Sequence, residues 1–346
     1  MPSSPVYIVT GGAGFIGANL VAALVAREAD AHVVVIDDFR KGSYANIVEA
    51  FRRKGLGPFR GSVTAQSVSD LDWDQAVEAL SPTAVFHLGA ITDTLEFDER
   101  TMFAANSEPW VEILSACIGS ETPLVYASSG ATYGSPSQGD DRIPFPESAA
   151  GEPNNVYGFS KWLMDAEVFR LFDERRAAGT ALPHVVGLRY FNVFGPGEAR
   201  KGKMASMAYH LTQQMLRGER PRIFKQGEHA RDQVFVDDVV DCTMTAAGVG
   251  SNSDPVPGVY NAGSGQTTTF NQIVEAINGA LGTNLEPDYI DMPEAMVPTY
   301  QHYTCADMSE TAKALGWKPA HDPFEATRAY ASLLRDEAAR NAPAEA

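Results

Sequence analysis

The sequence predicts an α/β fold in which a doubly wound parallel sheet precedes a smaller α/β substrate lobe. In the first half, short β-rich runs alternate with helical stretches, and this alternation is typical of parallel βαβ units. In the second half, amphipathic helices are joined by Pro- and Gly-rich connections such as 251–258. We therefore expect residues 1–190 to form the sheet domain, with return segments near 232–265, and residues 191–334 to form mainly the lobe. The Ala- and charge-rich end, 335–346, predicts a flexible tail.

Hydrophobic periodicity places the individual elements along the chain. The predicted strands are Val6–Thr10, His32–Ile36, Ala84–Leu88, Leu124–Ala127, Val185–Tyr190 and Gly258–Ala262. The predicted helices are Gly14–Ala29, Asp72–Ala79, Met102–Ile118, one that begins near Tyr157, Lys201–Arg217, Asp237–Ala247 and Phe270–Leu281.

The composition limits the class of partner. The chain has 346 residues, 44% of them hydrophobic, and a net charge of −17, which argues against nucleic acid or an anionic membrane as the main partner. A phosphate-bearing small ligand stays possible, because backbone N–H groups can hold it. No apolar run of membrane-spanning length and no signal peptide is evident. The cysteines Cys117, Cys242 and Cys305 lack metal-ligand spacing, so we expect no metal and a reducing cytoplasm.

A glycine-rich turn follows the first predicted strand and opens the first helix. It reads Gly11-Gly12-Ala13-Gly14-Phe15-Ile16-Gly17, a variant of the dinucleotide-binding motif. Gly11 permits the tight turn, Gly14 lets the backbone approach a pyrophosphate, and Gly17 permits close helix–strand packing. An ordinary glycine turn could share this pattern. The acidic residue Asp37, twenty residues after Gly17 at the end of the next strand, favours a Rossmann-type cofactor site instead.

Asp37 also bears on which nicotinamide cofactor binds. A carboxylate there accepts hydrogen bonds from the adenosine ribose and repels a 2′-phosphate, which favours NAD over NADP. Arg40 and Lys41 follow closely and are equally compatible with a 2′-phosphate contact or with a solvated loop. Further along, the backbone of Leu88, Gly89 and Ala90 at a strand end is expected to pass close to the cofactor.

A tyrosine and a lysine four residues apart form the candidate catalytic pair. Tyr157 and Lys161 share one face of a helix, so the ammonium is expected to lower the phenol pKa from its ordinary value of about 10. Such a tyrosine can exchange a proton with a sugar hydroxyl while hydride moves to the nicotinamide. Ser129, at the end of the preceding strand, is placed to orient the same substrate oxygen. Alone, the Tyr–Lys spacing also occurs in surface pairs.

Together, the glycine turn, the Tyr126–Ser129 segment and the Tyr157–Lys161 motif resemble the extended short-chain dehydrogenase/reductase family, which acts on nucleotide sugars. The resemblance implies a Ser129–Tyr157–Lys161 triad, an isomerase or related redox activity, a nucleotide-diphosphate sugar as substrate and a homo-oligomer. The cofactor contacts expected from the motifs and the resemblance are Gly11, Gly14, Phe15, Ile16, Gly17, Asp37, Asp38, Leu88, Gly89, Ala90, Asn106, Tyr157, Lys161 and Val193.

Two stretches narrow the resemblance to a branch of this family that inverts C6 of an ADP-linked heptose. They are Lys201–Leu211, and Pro298–Thr304 followed by Ala306 and Asp307. The branch implies a second acid/base group at Lys201, although residue chemistry alone favours a phosphate-binding or surface lysine at a helix start. The substrate contacts that it implies are Ser129, Asn192, Lys203, His210, Phe224, Arg231 and Tyr300. For Arg231 the alternative is a structural salt bridge with Asp232 or Asp237.

Some positions depart from the family pattern. Lys203 stands where a serine is common, Asp38 replaces an asparagine, and Tyr44 occupies the position of a lysine used near the 2′-phosphate. The last two changes favour NAD. The stretch Phe51–Val68 is longer than expected, and its adenine contacts are not assigned.

Three other functions stay open. A UDP-hexose 4-epimerase would share the triad and the cofactor but need only one acid/base group. A 4,6-dehydratase would need an acidic pair after the strand-end serine, where this chain reads Gly130-Ala131-Thr132. A non-catalytic NAD-binding regulatory protein would not need the intact triad.

Overall fold

The fold is described by a computed structural model that covers residues 4–134, 142–251, 254–294 and 300–341. The strands of these residues are β1 (Val6–Thr10), β2 (His32–Ile36), β3 (Ser62–Thr64), β4 (Ala84–His87), β5 (Leu124–Ser129), β6 (Val185–Tyr190), β7 (Asn192–Phe194), β8 (Arg222–Phe224), β9 (Ala230–Arg231), β10 (Gln233–Phe235), β11 (Gly258–Ala262), β12 (Thr268–Thr269) and β13 (Asp288–Ile290).

The helices alternate with the strands of the first half and dominate the second. They are α1 (Phe15–Arg27), α2 (Tyr44–Arg53), α3 (Trp73–Leu80), α4 (Glu99–Asn106), α5 (Glu108–Gly119), α6 (Val156–Ala177), α7 (Met207–Leu216), α8 (Val236–Ala246), α9 (Phe270–Leu281), α10 (Ser309–Leu315) and α11 (Pro323–Asn341). None of the described helices is both long and apolar enough to cross a membrane.

Seven parallel strands form the central sheet, in the order β11-β6-β5-β4-β1-β2-β3. The predicted doubly wound α/β class is confirmed. The chain reverses direction across the sheet between β1 and β4, and ligands of such sheets bind at the carboxyl ends of the strands beside that point. The glycine turn and Gly89 both lie at this edge.

Side chains of the sheet alternate between two cores. Along β1, Tyr7 and Val9 pack into the core beneath α1, α2 and α8, while Ile8 packs into the opposite core with α3, α5 and α6. This alternation follows from the two-residue period of a strand. Because helices cover both faces of the sheet, the carboxyl ends of its strands are supported from two sides.

A third core lies among α7, α9 and α11, around Leu211, Ile273 and Tyr330. Three two-stranded pairs surround it: β7 with β10, β8 with β13, and β9 with β12. The chain returns to the large sheet through β11, which pairs with β6. The boundary between 190 and 191 stays a prediction. Of the expected tail, residues 335–341 continue α11, and 342–346 lie outside the described residues.

Two predicted helices are wrong in extent. Met102–Ile118 is divided into α4 and α5, because Pro109 lacks the N–H that would continue α4, and α5 begins at Glu108 with Pro109 in its first turn. Lys201–Arg217 begins too early, since α7 starts at Met207. Gly202 takes a left-handed φ of 57° within the preceding turn, and the Ser206 hydroxyl caps α7 by accepting from the Tyr209 N–H. Strand β3 and part of α2 lie in the unassigned stretch 51–68.

Candidate active site

The glycine turn and the loop after β4 lie against each other. Gly11 has φ +64°, and a Cβ there would come within 2.8 Å of the Gly89 backbone. A Cβ on Gly17 would collide with the Gly11 carbonyl. The Thr10 hydroxyl oxygen ties the two segments by accepting from the N–H groups of Leu88 (3.1 Å) and Gly89 (2.9 Å). Gly11 and Gly17 thus allow the turn, the loop after β4 and the start of α1 to pack closely.

Behind this turn, Thr10 also fixes a buried histidine that the sequence analysis did not single out. The Thr10 hydroxyl lies 2.9 Å from His87 Nδ1. Because its oxygen already accepts two N–H groups, the hydroxyl donates its proton to Nδ1, which leaves the proton of the ring on Nε2. Burial, with a smaller contribution from Lys161, lowers the pKa of His87 to about 3. His87 is therefore a neutral structural support.

The two aspartates after β2 have different partners. Asp37 is 8% exposed and accepts from the N–H groups of Ala13 (3.0 Å) and Phe39 (2.8 Å). Burial raises its pKa, and these two hydrogen bonds oppose the increase. Asp38 accepts from the backbone N–H of Arg40 and from its Nε at 2.5 Å. The Asp38 carboxylate is therefore paired with the Arg40 guanidinium, the cation that would otherwise favour the 2′-phosphate of NADP.

Asn106 is 1% exposed and joins three segments. Its Oδ1 accepts from the Ile91 N–H at 2.7 Å, and its Nδ2 donates to the Ile91 carbonyl (2.9 Å) and to Ser160 Oγ (3.0 Å). It thus holds the loop after β4 against α6. A direct contact of Asn106 with the cofactor stays a prediction, as does one from Val193 in β7.

Tyr157 and Lys161 lie in the first turns of α6, and Ser129 ends β5. The helix begins where predicted because the Asn155 side chain caps it, accepting from the Gly158 N–H at 2.8 Å. Burial raises the pKa of the Tyr157 phenol, and a hydrogen bond with Ser129 opposes that increase. The predicted lowering of this pKa by Lys161 is wrong for the protein's own residues, because the burial of the phenol outweighs the other effects.

Lys161 is itself buried, with 1% of its surface exposed. Its Nζ lies 3.8 Å from Met164 Sδ. Burial lowers the pKa of Lys161 to about 8, against the attraction of Asp165 one helical turn further on. The ammonium is thus poised to lose its proton more readily than an exposed lysine.

Lys201 lies on a short 3-10 segment, Glu198–Met204, next to the start of α1. Its Nζ is 5.4 Å from the centroid of the Phe15 ring. Burial lowers the pKa of Lys201, while Glu198 opposes that decrease. The structure therefore places Lys201 beside the Phe15 ring as a half-buried cation. Its role as a second acid/base group stays a prediction, as does the alternative of a phosphate-binding or surface lysine.

Glu198 shapes the segment that carries Lys201. It is fully buried and accepts from the N–H groups of Gly195 (3.1 Å) and Ser206 (2.6 Å) and from the Ser206 hydroxyl (2.8 Å). These bonds close the turn before α7. No sequence motif indicated that role.

The expected substrate residues occupy two parts of the rim. Exposed Asn192 accepts from the Thr304 hydroxyl at 3.4 Å. Lys203 is 69% exposed in its side chain and lies 3.6 Å from Asp93 of the loop after β4. His210, on α7, contacts the Tyr209 ring.

The second part of the rim is an aromatic group around a buried guanidinium. The rings of Phe224 and Tyr300 meet edge to face at 5.6 Å, and Arg231 Cζ lies 5.0 Å from the centroid of the Tyr300 ring. Of the nearby motif, Pro298 and Thr299 lie outside the described residues. Thus Phe224, Arg231 and Tyr300 come together as the resemblance implied.

Arg231 has no carboxylate partner among the described residues. It is 8% exposed, and its guanidinium donates to the Ala230 carbonyl and to the Tyr300 hydroxyl oxygen. Asp232 instead accepts from the N–H groups of Ser264, Gly265 and Ala306, and Asp237 pairs with Lys54. The predicted alternative of a structural salt bridge is therefore wrong. A buried, uncompensated guanidinium is costly unless an anion binds it.

Known proteins resemble this chain over nearly its whole length. A model of the NAD dependent epimerase/dehydratase family matches residues 7–263. The chain belongs to that family. A relative named ADP-L-glycero-D-manno-heptose-6-epimerase, from Brachyspira hyodysenteriae, is 36% identical over 332 residues, covering 94% of this chain and 97% of the relative. The predicted family and enzyme class, an NAD-dependent epimerase, are confirmed.

Two solved structures of this epimerase/dehydratase family share the fold. The ADP-L-glycero-D-manno-heptose-6-epimerase of Helicobacter pylori superposes with a TM-score of 0.77 at 29% identity, covering 95% of each chain. The UDP-glucose 4-epimerase of Thermotoga maritima, with UDP-glucose, has a TM-score of 0.78 at 27% identity, covering 96% of this chain and 99% of that one. The fold does not distinguish these two activities.

The site of this family member fits NAD. The glycine turn is packed too tightly for a side chain at Gly11 or Gly17, and α1 begins with no side-chain cap on Gly14 and no acidic residue in its first turn. Its free N–H groups suit a pyrophosphate. Among the described residues, no group of three or more His, Cys, Asp or Glu side chains is arranged to hold a metal ion.

Proposed function

We propose that the protein inverts C6 of ADP-D-glycero-D-manno-heptose by transient oxidation and re-reduction with bound NAD. The observation that carries this proposal is the half-buried Lys201, whose Nζ lies 5.4 Å from the Phe15 ring of the cofactor turn. The resemblance to the C6-inverting branch implies one acid/base group for each epimer, and Lys201 would be the second of them. The heptose 6-epimerase name of the 36%-identical relative supports the same substrate.

Tyr157 is proposed as one of these groups. The C6 hydroxyl of one epimer gives its proton to the phenolate oxygen, and Ser129 Oγ holds the same substrate oxygen by a hydrogen bond. Bound NAD would supply the hydride acceptor and donor for C6. Because burial raises the pKa of Tyr157 and the Ser129 hydrogen bond only opposes that increase, the positive charge of the cofactor ring would be needed to favour the phenolate.

Lys201 is proposed as the second group. With the C6 carbonyl presenting its other face, the Lys201 ammonium would donate a proton to the carbonyl oxygen as the alcohol re-forms. Exchange with water would then remove the proton from Tyr157 and return one to Lys201. Burial lowers the pKa of Lys201, which makes this transfer easier in both directions. Asn192 and His210 are proposed to bind the sugar.

Arg231 is proposed to bind the diphosphate of the substrate. A guanidinium holds phosphate oxygens through two parallel hydrogen bonds, and Arg231 has no described carboxylate that would compete. Phe224 and Tyr300 are proposed to complete this end of the site.

The test is to incubate the pure protein with ADP-heptose and, separately, with UDP-galactose, and to follow epimer ratios by NMR. We expect inversion at C6 of the heptose and no change at C4 of the galactose. Change in the galactose sample alone would support a UDP-hexose 4-epimerase, the activity of the Thermotoga maritima neighbour. Biological function that survives Tyr157→Phe would favour a regulatory NAD-binding protein.

We also propose that the protein is a cytoplasmic homo-oligomer. Four large apolar side chains are exposed on the neighbouring helices α5 and α6: Val111, Phe159, Leu163 and Phe169. Contact with a second copy would remove them from water. Light scattering of the purified protein gives the number of subunits.

A further inference from the structure

Two histidines that no motif indicated, His229 and His302, lie side by side next to Arg231. Their ring centroids are 4.9 Å apart with an interplanar angle of 34°. The backbone fixes this pairing, because the Ala230 N–H donates to the His302 carbonyl (3.0 Å) and the Thr304 N–H donates to the Ala230 carbonyl (3.1 Å). The two side chains are therefore neighbours by strand register.

Tyr300 connects the pair to Arg231. Its ring centroid lies 5.2 Å from that of His229 and 5.7 Å from that of His302, while Arg231 Cζ stands 5.0 Å from the same ring. Three groups that can carry positive charge thus surround one phenol, at the rim that the substrate residues share.

Carboxylates are absent from the described groups that face His229. Phe224 of β8 and Phe270 of α9 are apolar, and the remaining neighbours are Tyr300, His302 and Arg231. Glu228 accepts from Asn271 Nδ2 at 2.7 Å, and Asp232 accepts the amides of the 264–265 turn and Ala306. In a chain of net charge −17, a buried guanidinium beside two imidazoles, with no acid among the described groups that face them, indicates an anionic ligand.

One nitrogen of the pair is left without a partner. His229 Nδ1 is buried and has no hydrogen bond within the described structure. His302 is exposed. Buried polar atoms are normally satisfied by protein, water or ligand, so an imidazole in this position has hydrogen-bonding capacity to offer a bound group.

We propose that His229 and His302 form, with Arg231, the site that binds the diphosphate of the substrate nucleotide, with the imidazoles donating to phosphate oxygens that the guanidinium does not reach. This proposal rests on the proposed function for its ligand class. It assigns the two histidines to the phosphates rather than to the nucleobase or the sugar.

Proton uptake on binding follows from this arrangement. Burial, then His302 and Arg231, lower the pKa of His229 in the free protein, which keeps that ring neutral at pH 7. A bound diphosphate opposes all three effects and raises the pKa of His229. Affinity for a nucleoside diphosphate is therefore expected to increase as the pH falls from about 8 to about 6.

The experiment measures the binding of ADP and of UDP by calorimetry to protein saturated with NAD, so that the cofactor site is filled. His229→Phe and His302→Phe keep an aromatic ring and remove the nitrogens. We expect each substitution to lower the affinity for both ADP and UDP by about tenfold and to reduce the proton uptake that accompanies binding. His32→Phe, at the amino end of β2, is the matched control.

Unchanged affinity in both Phe variants would overturn the proposal, because a ring without nitrogens would then suffice. A loss confined to ADP would also overturn it and assign the histidines to the base. The assay does not require turnover. If the Phe variants lose nucleotide affinity but the unsubstituted protein does not invert the heptose, the proposed function alone is refuted. If the Phe variants keep normal affinity and the unsubstituted protein inverts the heptose, this inference alone is refuted.

Discussion

Arg189 and Asp165 form a salt bridge with both side chains entirely excluded from solvent, and Arg189 Nε lies 2.8 Å from Asp165 Oδ2. The Tyr126 hydroxyl donates to the other carboxylate oxygen at 2.9 Å. Because Asp165 is one helical turn beyond Lys161, this pair anchors the catalytic helix to β5 and β6. Arg189 also donates to the Glu147 carbonyl at 2.7 Å.

Asp165→Asn is expected to lower the free energy of unfolding by about 3 kcal/mol, since it leaves a buried guanidinium without its counter-charge. Urea denaturation at pH 7 measures the change. The control is Asp173→Asn, which breaks an exposed pair with Arg176 and is expected to cost less than about 1 kcal/mol. Equal effects of the two substitutions would show that the buried pair does not hold the helix.

Lys161→Met is expected to stabilise the protein at pH 7 while abolishing turnover. The pKa of Lys161 is lowered from its ordinary value of 10.5 to about 8 in the folded protein, so the unfolded chain binds more protons between these pH values. The cost of burying the charge is thus complete below about pH 8 and disappears as pH rises. The variant should gain up to about 3 kcal/mol at pH 7 and less at pH 10. Lower stability at pH 7 would contradict this account.

Asp38→Ala is expected to improve NADP binding by about tenfold and to leave NAD affinity nearly unchanged, because it frees the Arg40 guanidinium for a 2′-phosphate. Titration with each cofactor measures the ratio. In the double variant Asp38→Ala/Arg40→Ala the gain should disappear. A gain that persists in the double variant would mean that Arg40 is not the phosphate contact.

Lys201→Met is expected to reduce turnover of ADP-heptose at least 100-fold, the lower end of the contribution of a general acid/base group. NAD affinity should change little. Lys313→Met, an exposed helix lysine on α10, serves as the matched control. Turnover near that of the control variant would remove Lys201 from the chemistry.

Elements set by local pattern could be predicted with accurate ends: β1, β6, β11 and α9 match their predicted bounds. The start of α7 was missed because it depends on the left-handed φ of Gly202 and on the Ser206 cap, which periodicity does not register.

The candidate site also contains some residues that local sequence predicts and others that it does not. Gly11, Tyr157 and Lys161 are carried by short motifs. The Asp165–Arg189 pair and the His229–His302 pair join segments distant in sequence, so only the fold brings them together. The sign of the Tyr157 pKa shift was also missed, because burial of the phenol is a tertiary property.

The most direct test of the account is to supply ADP-heptose carrying deuterium at C6 and to analyse the product by NMR and mass spectrometry in ordinary water. Transient oxidation with return of the same hydride predicts inverted C6 with the deuterium retained. Inversion with loss of the deuterium to solvent would indicate direct proton abstraction from C6 and would contradict the roles given to NAD, Tyr157 and Lys201.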